Sequence, residues 1–423
     1  MRVLIAGASG FIGANLAHAC AGAGHEVICG GRQPRECVPG ARQLRLDYAV
    51  PAPRDVLAQA LRGVEVVVNA VGILRPRGAQ TFEALHARGP AALFAAAQAA
   101  GVRRIVQVSA LGAEPQALSA YHRSKSEADL TLMALPVDWA IVKPSLVYGP
   151  GGASAHLFDT LASLPLIPLP AGGLQRIQPV HIDDVTRVLL RLIESPAELR
   201  CTVQLVGAEP TTLAEFLHSL RAAIGLRPTR ALSIPRPLMA AAASLGDHLP
   251  GAFLSHETLG MLERGNVGDP TEVTRLLGRP PLPVSAFVNP SCRSLVRREA
   301  LSGWLTPLLR WSVAFMWLIA GIVSLGPQSG ESLELLRRIG ASAAVAPLLL
   351  VGAASLDIAL GILTLLPRRI PMLWNAQILL VLLYTAIISV FLPELWLEPF
   401  GPVAKNVPIL AMLLLLRQHE GHR

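Results

Sequence analysis

Arg2-Val3-Leu4-Ile5-Ala6-Gly7-Ala8-Ser9-Gly10-Phe11-Ile12-Gly13 stands at the start of the chain and decides the fold of the domain it opens. A strand-length apolar run meets a glycine turn and passes straight into an Ala-rich segment that reaches Ala23 with helical character. Gly7 permits the tight turn, Gly10 lets the backbone approach a pyrophosphate, and Gly13 lets the helix pack on the strand. Phosphate oxygens then face the helix N-terminus, where free N–H groups and the dipole favour negative charge. Ser9, Phe11 and Ile12 complete the loop that wraps the dinucleotide. Set between strand and helix in this way, the glycine spacing becomes a strong signal.

Reading outward, the second strand, Glu26 to Gly30, ends in Gly30-Gly31-Arg32. An NAD-selective site presents a carboxylate there to the ribose 2′-hydroxyl; here an arginine stands instead, which favours the 2′-phosphate of NADP(H) and keeps NAD(H) as the alternative. Leu44-Arg45-Leu46-Asp47 reads as a third strand whose Asp47 meets the adenine edge. A fourth, Val64 to Val68, runs into Asn69-Ala70-Val71-Gly72, where small residues let backbone lie against the cofactor. The class is α/β, a Rossmann-like doubly wound parallel sheet.

Ser109 closes the strand Ile105 to Val108, on the edge where ligands bind in such sheets. Tyr121-His122-Arg123-Ser124-Lys125 then opens a helix that runs through Met133, with Tyr121 and Lys125 one turn apart on one face. A neighbouring ammonium favours phenolate and is expected to lower the Tyr121 pKa from about 10. Lys125 is also expected to hold the nicotinamide ribose, and Ser109 to polarise a substrate carbonyl. With four tyrosines and only Lys125, Lys143 and Lys405 as lysines, a chance Tyr-x-x-x-Lys is expected roughly 0.03 times. His122 points off the Tyr/Lys face by helical geometry, and His181 reads as structural. No metal-ligand spacing is present.

These residues together resemble the extended and atypical short-chain dehydrogenases/reductases. Lys143-Pro144-Ser145, Val147-Tyr148-Gly149-Pro150 and Gln178-Pro179-Val180-His181-Ile182-Asp183-Asp184-Val185 match as well, and the resemblance covers about residues 1 to 290. It implies Ser109, Tyr121 and Lys125 as the reactive set and Pro144 and Ser145 as further cofactor contacts. Leu259-Gly260-Met261-Leu262-Glu263-Arg264-Gly265-Asn266-Val267 looks like the branch related to the nucleotide-binding accessory subunit of respiratory complex I. The short spacing from Ser109 to Tyr121 departs from the sugar epimerases and argues against sugar-nucleotide epimerisation.

The grammar changes beyond Arg310. Trp311 to Gly330 and Ile370 to Pro393 carry no charge, Ile339 to Pro367 carries only Asp357, and Phe400 to Leu416 only Lys405. Stretches of about 20 apolar residues read as membrane-spanning helices, so four spans are expected, forming an all-α bundle. Mean hydropathy of +0.47 and 16% charged residues belong with this reading. The start of the chain shows no signal peptide. Arg293, Arg297, Arg298, Arg310, Arg368, Arg369, Arg417 and Arg423 fall on one side of the spans, which places the N-terminal domain and the C-terminus in the cytoplasm of an inner-membrane type protein. Residues 304–423 are similar to the DoxX-like family, chiefly through Gly401-Pro402-Val403-Ala404-Lys405-Asn406-Val407-Pro408. Residues 291–303 then form a linker. Asn375 and Gln377 are the expected partners of Asp357.

The net charge of +8 is scattered arginine with no basic run, which argues against nucleic acid as a partner. Cys20, Cys29, Cys37, Cys201 and Cys292 show no disulfide framework, in keeping with a reducing compartment. The expectation is a membrane-anchored NAD(P)H-dependent oxidoreductase acting on an apolar, quinone-like or lipid-like carbonyl or hydroxyl, with the bilayer as partner. The alternative is a non-catalytic NADP(H)-binding assembly or sensor subunit of a membrane redox complex.

Overall fold

The computed structural model describes residues 1–33, 37–248, 254–366, 370–398 and 401–421. Arg368, Arg369, Phe400 and Arg423, which bear on the expected spans and their orientation, lie outside them. The chain divides into two compact units, Met1–Ala300 and Leu301–Arg423.

The first unit is built on strands β1 (Arg2–Ala6), β2 (Glu26–Gly31), β3 (Arg42–Arg45), β4 (Val66–Asn69), β5 (Arg104–Val108), β6 (Asp138–Pro144) and β7 (Arg200–Leu205). They form one parallel sheet in the order β7-β6-β5-β4-β1-β2-β3. Buried on both faces, its central strands read as continuous Val/Ile/Leu runs. Helices α1 (Phe11–Gly22), α2 (Arg54–Ala60), α3 (Gly89–Ala99), α4 (Ala120–Met133), α5 (Ala153–Ser163), α6 (Ile182–Glu194) and α7 (Leu213–Ala223) follow. α1 and α6 cover one sheet face through Leu16, Val185 and Leu189. α2, α3 and α4 cover the other through Leu57, Phe94 and Leu132. Strand order reverses at β1 and β4, and ligands of open parallel sheets bind outside the strand ends at that crevice.

A third core, around Phe158, Phe216, Leu217 and Phe287, joins α5 and α7 beyond the sheet. Helices α8 (Arg236–His248), α9 (His256–Arg264) and α10 (Thr271–Leu277) complete the unit. One expectation is corrected here. Cys29 at the end of β2 and Cys37 form a disulfide with Cα atoms 6.6 Å apart. Cys29 and Cys37 stand eight residues apart in sequence, and their closeness in space is not revealed by spacing alone.

The second unit takes up most of α11 (Arg293–Leu325) and holds α12 (Ser329–Arg338), α13 (Ala346–Leu365), α14 (Pro371–Phe391) and α15 (Asn406–Gly421). Three described helices, those ending at Leu325, Leu365 and Phe391, are long and apolar enough to cross a membrane. The expected linker 291–303 is helical from Arg293 onward. Small residues let α11 and α13 approach closely: a Cβ on Gly321 would lie 2.6 Å from the Ala354 carbonyl oxygen. Asp357 pairs with Tyr384, not with Asn375 or Gln377. Gln377 instead accepts from Trp317 Nε1 at 2.8 Å and donates to Thr364 Oγ1 at 3.0 Å, while Asn375 is exposed.

Candidate functional site

At the switch point the glycine turn is built as its residues require. Gly7 has φ of 83°, and a Cβ there would meet the Ala70 and Val71 backbone at 3.0 Å. A Cβ on Gly13 would stand 2.2 Å from the Gly7 carbonyl oxygen, and one on Gly10 at 3.2 Å from the same atom. Gly7, Ser9, Gly10, Arg32, Asp47, Ala70, Val71 and Gly72 line one groove. Phe11 and Ile12, expected to wrap a dinucleotide, pack partly buried against the sheet core at the start of α1. Arg32 is exposed on the groove wall, and Asp47 Oδ1 accepts from the Ala49 backbone at 3.0 Å.

The far wall is held by a buried hydrogen-bond chain. Tyr48 Oη donates to Asn69 Oδ1 at 2.9 Å, Asn69 Nδ2 donates to Gln107 Oε1 at 2.7 Å, and the Val71 backbone donates to Asn69 Oδ1 at 3.3 Å. Lys125 lies beneath Gly72, where a Cβ would come within 3.2 Å of Nζ. Its ammonium donates to the Val71 and Val108 carbonyls at 3.1 and 3.0 Å, using two of its three N–H groups. Burial pulls its pKa down to about 8.

Tyr121 is boxed by rings of Phe82, His86 and His122 at 5.1–6.0 Å. Burial pushes its phenol up to about 12, the opposite of the lowering that proximity to Lys125 was expected to give. His86 Nε2 accepts from the Ile73 backbone at 3.0 Å, so Nδ1 carries the proton toward Ser124 Oγ at 3.0 Å. Burial, with Lys125 nearby, lowers its pKa to about 2, and it stays neutral. His122 Nε2 accepts from Arg264 at 3.0 Å; burial and that guanidinium lower its pKa to about 4. His181 caps α6, accepting from the Asp183 backbone at 3.3 Å, as a structural histidine does.

Ser109 departs from expectation. It is 3% exposed, and its hydroxyl donates to Asp129 Oδ2 at 2.6 Å. Asp129, one further turn along α4 from Lys125, is itself 3.6 Å from Lys143 Nζ. Burial raises the Asp129 pKa, opposed by Ser109 and Lys143. The Ser109 proton is therefore spent inside the fold, and Ala110 and Leu111 line the cavity beyond it. Pro144, the last residue of β6, and Ser145 after it also line that cavity.

This cavity holds about 550 Å³ and is walled mainly by aliphatic side chains, among them Leu74, Leu157, Leu161, Leu213, Leu217 and Met261, with Tyr121 at its polar edge. Sequence reading had no access to it, since most of its wall comes from segments between residues 144 and 266 brought together only by folding. Asp129 could have been suspected: Tyr121, Lys125 and Asp129 repeat at four-residue steps on one helix face.

Comparison with known proteins agrees with both units. The model of the NAD dependent epimerase/dehydratase family matches residues 3–205, and that of the DoxX-like family residues 314–414. A ceramide reductase of Caulobacter vibrioides is 29% identical over 252 residues, covering 58% of this chain and 77% of that protein. The mitochondrial NADH dehydrogenase (ubiquinone) 1 alpha subcomplex subunit 9 of Mus musculus is 25% identical over 260 residues, covering 60% and 67%. The structure of UDP-glucuronic acid 4-epimerase from Bacillus cereus, in complex with UDP-glucuronic acid and NAD, shares the fold. It has a TM-score of 0.54 and 16% identity, covering 70% of this chain and 99% of that one. The chain is thus an integral membrane protein that joins a Rossmann domain of the NAD dependent epimerase/dehydratase type, related to a complex I subunit, to a DoxX-like domain.

Proposed function

We propose that the protein is an NADP(H)-dependent reductase of an apolar, lipid-like or quinone-like carbonyl compound, working with Tyr121 and Lys125. The observation that carries this reading is the aliphatic 550 Å³ cavity with Tyr121 in its wall. A sugar nucleotide would leave its hydroxyls unpaired there, each at a cost of about 1–3 kcal/mol, whereas an alkyl chain gains by burial. The glycine cradle fits a pyrophosphate, and Arg32 stands where a ribose 2′-phosphate is read.

Held against the Gly7-Gly10-Gly13 turn, a nicotinamide dinucleotide would supply the hydride for reduction of a carbonyl carbon to an alcohol. Tyr121 gives its phenolic proton to the carbonyl oxygen, and solvent later returns one. Burial keeps that phenol protonated at neutral pH, which suits donation. Lys125 fixes the Val71 and Val108 carbonyls and so the backbone of the cofactor groove. Ser109 acts as a positioning residue, orienting Asp129 on the helix that carries Tyr121. Four membrane crossings, with the first unit and the C-terminus cytoplasmic, complete the reading, and reporter fusions at each loop test it.

Detergent-purified protein should oxidise NADPH with a long-chain ketone or quinone acceptor. Tyr121→Phe should lower turnover by about 100-fold or more with NADPH affinity intact. A second reading, a non-catalytic NADP(H)-binding subunit of a membrane redox complex, draws on the engaged Ser109 hydroxyl and on the complex I relative. Under it Tyr121→Phe leaves cellular function unchanged, and no acceptor is reduced although cofactor binds.

A further inference from the structure

The apolar wall of the cavity continues to the protein surface. Outside the large sheet, strands Ile167–Pro170 and Ala231–Ile234 pair in parallel, with Pro168 beside Leu232 and Pro170 beside Ile234. Side chains alternate between the faces of such a ribbon, so these four share one face with Leu166, one residue before the first strand. Pro168, Pro170 and Ile234 line the cavity, whereas Leu166 and Leu232 are exposed. Helix α8, which follows the second strand, repeats the pattern. Its Met239 lines the cavity, and Ala243 and Gly246 on the same side are buried. Leu238, Ala241, Ala242 and Leu245, at i, i+3, i+4 and i+7, form a neighbouring apolar stripe whose every member is exposed. The four leucines at this edge of the cavity are 43–64% exposed.

Charge says what such a rim meets. From Leu226 to Gly246 the chain carries Arg227, Arg230 and Arg236, all exposed, and no acidic residue. Arg236 lies 3.6 Å from Glu263, while Arg227 and Arg230 form no ion pair among the described residues. Exposed leucines flanked by arginines suit an anionic lipid surface, where the leucines enter the boundary between headgroups and acyl chains and guanidiniums meet phosphates. The apolar helices of the DoxX-like unit tether the chain to a bilayer, so that surface is met at high effective concentration. We propose that the rim formed by Leu166, Leu232, Leu238 and Leu245, with Arg227 and Arg230, docks on the anionic surface of that bilayer. An apolar compound then passes between lipid and cavity without crossing water. The docking stands on the rim itself; the passage rests on the apolar-substrate reading proposed for the cavity.

The test uses the full-length protein with a benzophenone amino acid at position 238, 245 or 240, reconstituted in phosphatidylcholine vesicles containing about 30% phosphatidylglycerol. Position 240 is exposed but turned roughly 150° about the helix axis from the stripe. After irradiation, peptide mass spectrometry should find phospholipid adducts at 238 and 245 and about fivefold fewer at 240. Vesicles of phosphatidylcholine alone, or the double variant Arg227→Gln, Arg230→Gln, should lower the yield at 238 and 245 by about fivefold or more. An unchanged Tm reads the integrity of each labelled protein, and either stripe position decides the matter if the other fails that check. Adducts with a second copy or with residues 301–423 in place of lipid, equal lipid yields at all three positions, yields indifferent to charge, or no adduct at all overturn the docking. Lipid adducts without reduction of any apolar acceptor leave the docking standing and overturn the apolar-substrate reading. Reduction without lipid adducts does the reverse.

Discussion

Replacing Lys125 with methionine separates what burial costs from what the ammonium holds. The side chain is 4% exposed, and burial moves its pKa from 10.5 to about 8. That displacement is worth about 3 kcal/mol against the folded state at every pH where the residue is charged both folded and unfolded. The bonds to the Val71 and Val108 carbonyls offset it by about 1.5–3 kcal/mol each, so Lys125→Met at pH 7 should change stability by less than about 3 kcal/mol. The dependence on pH is the sharper observable. Between about 8 and 10.5 the unfolded chain still holds the proton that the folded protein has released, so stability from this residue rises with pH. Below 8 the cost is fully present. Methionine has no such term. The gap in Tm between wild type and variant, measured without cofactor, should therefore move by about 5 °C in favour of the wild type from pH 7 to pH 10, taking about 2 °C per kcal/mol for a unit of this size. Taking the difference cancels the other groups that titrate there. A gap that stays constant across that range refutes the argument.

Gly13→Ala should weaken cofactor binding by more than tenfold and lower Tm by several degrees. Its methyl would sit 2.2 Å from a backbone oxygen that cannot move without reshaping the turn; fluorescence titration with NADPH checks this. Arg32→Ala should raise the NADPH Kd about tenfold and leave that for NADH within a factor of two. Ser109→Ala should cost about 1–3 kcal/mol of stability by leaving Asp129 Oδ2 with only the Lys143 ammonium at 3.6 Å, yet leave kcat within about tenfold of wild type. A fall of a thousandfold with an unchanged melting curve would return Ser109 to the reacting atoms.

The glycine turn was legible because its requirements are local. A turn with positive φ, a phosphate approach and a helix packed on a strand each need glycine at one position, and Gly7, Gly10 and Gly13 stand within seven consecutive residues. Three of the four expected spans correspond to helices long and apolar enough to cross a membrane, and these were legible because charge depletion over about 20 residues needs no tertiary knowledge. What escaped depends on direction. Ser109 was placed correctly at a strand end, but whether its hydroxyl faces substrate or α4 depends on Asp129, twenty residues on. Asp357 was matched to partners by depth along its helix. Depth carries no rotation about the axis, and it is Tyr384 on α14 that faces the carboxylate. The cavity was illegible because its aliphatic lining, taken residue by residue, looks like ordinary core.

The buried charges of α4 connect these points. Lys125 and Asp129 are each about 4% exposed, and Lys143 bridges to the latter from β6. Burial disfavours the charged form of both residues, lowering the lysine and raising the aspartate. A fold selected for stability alone would fill such positions with aliphatic side chains, since replacing buried ion pairs in that way is often neutral or stabilising. The arrangement does bring geometry: Lys125 fixes two carbonyls under the cofactor groove, while Asp129 and Lys143 fix Ser109 and the loop at Ala113, whose carbonyl accepts from Lys143 at 2.7 Å. Both clamps hold segments on either side of Tyr121. The buried charges of α4, with Lys143, thus fix backbone carbonyls in the loop after β4, at the end of β5 and at Ala113, around a helix whose Tyr121 lines the apolar cavity.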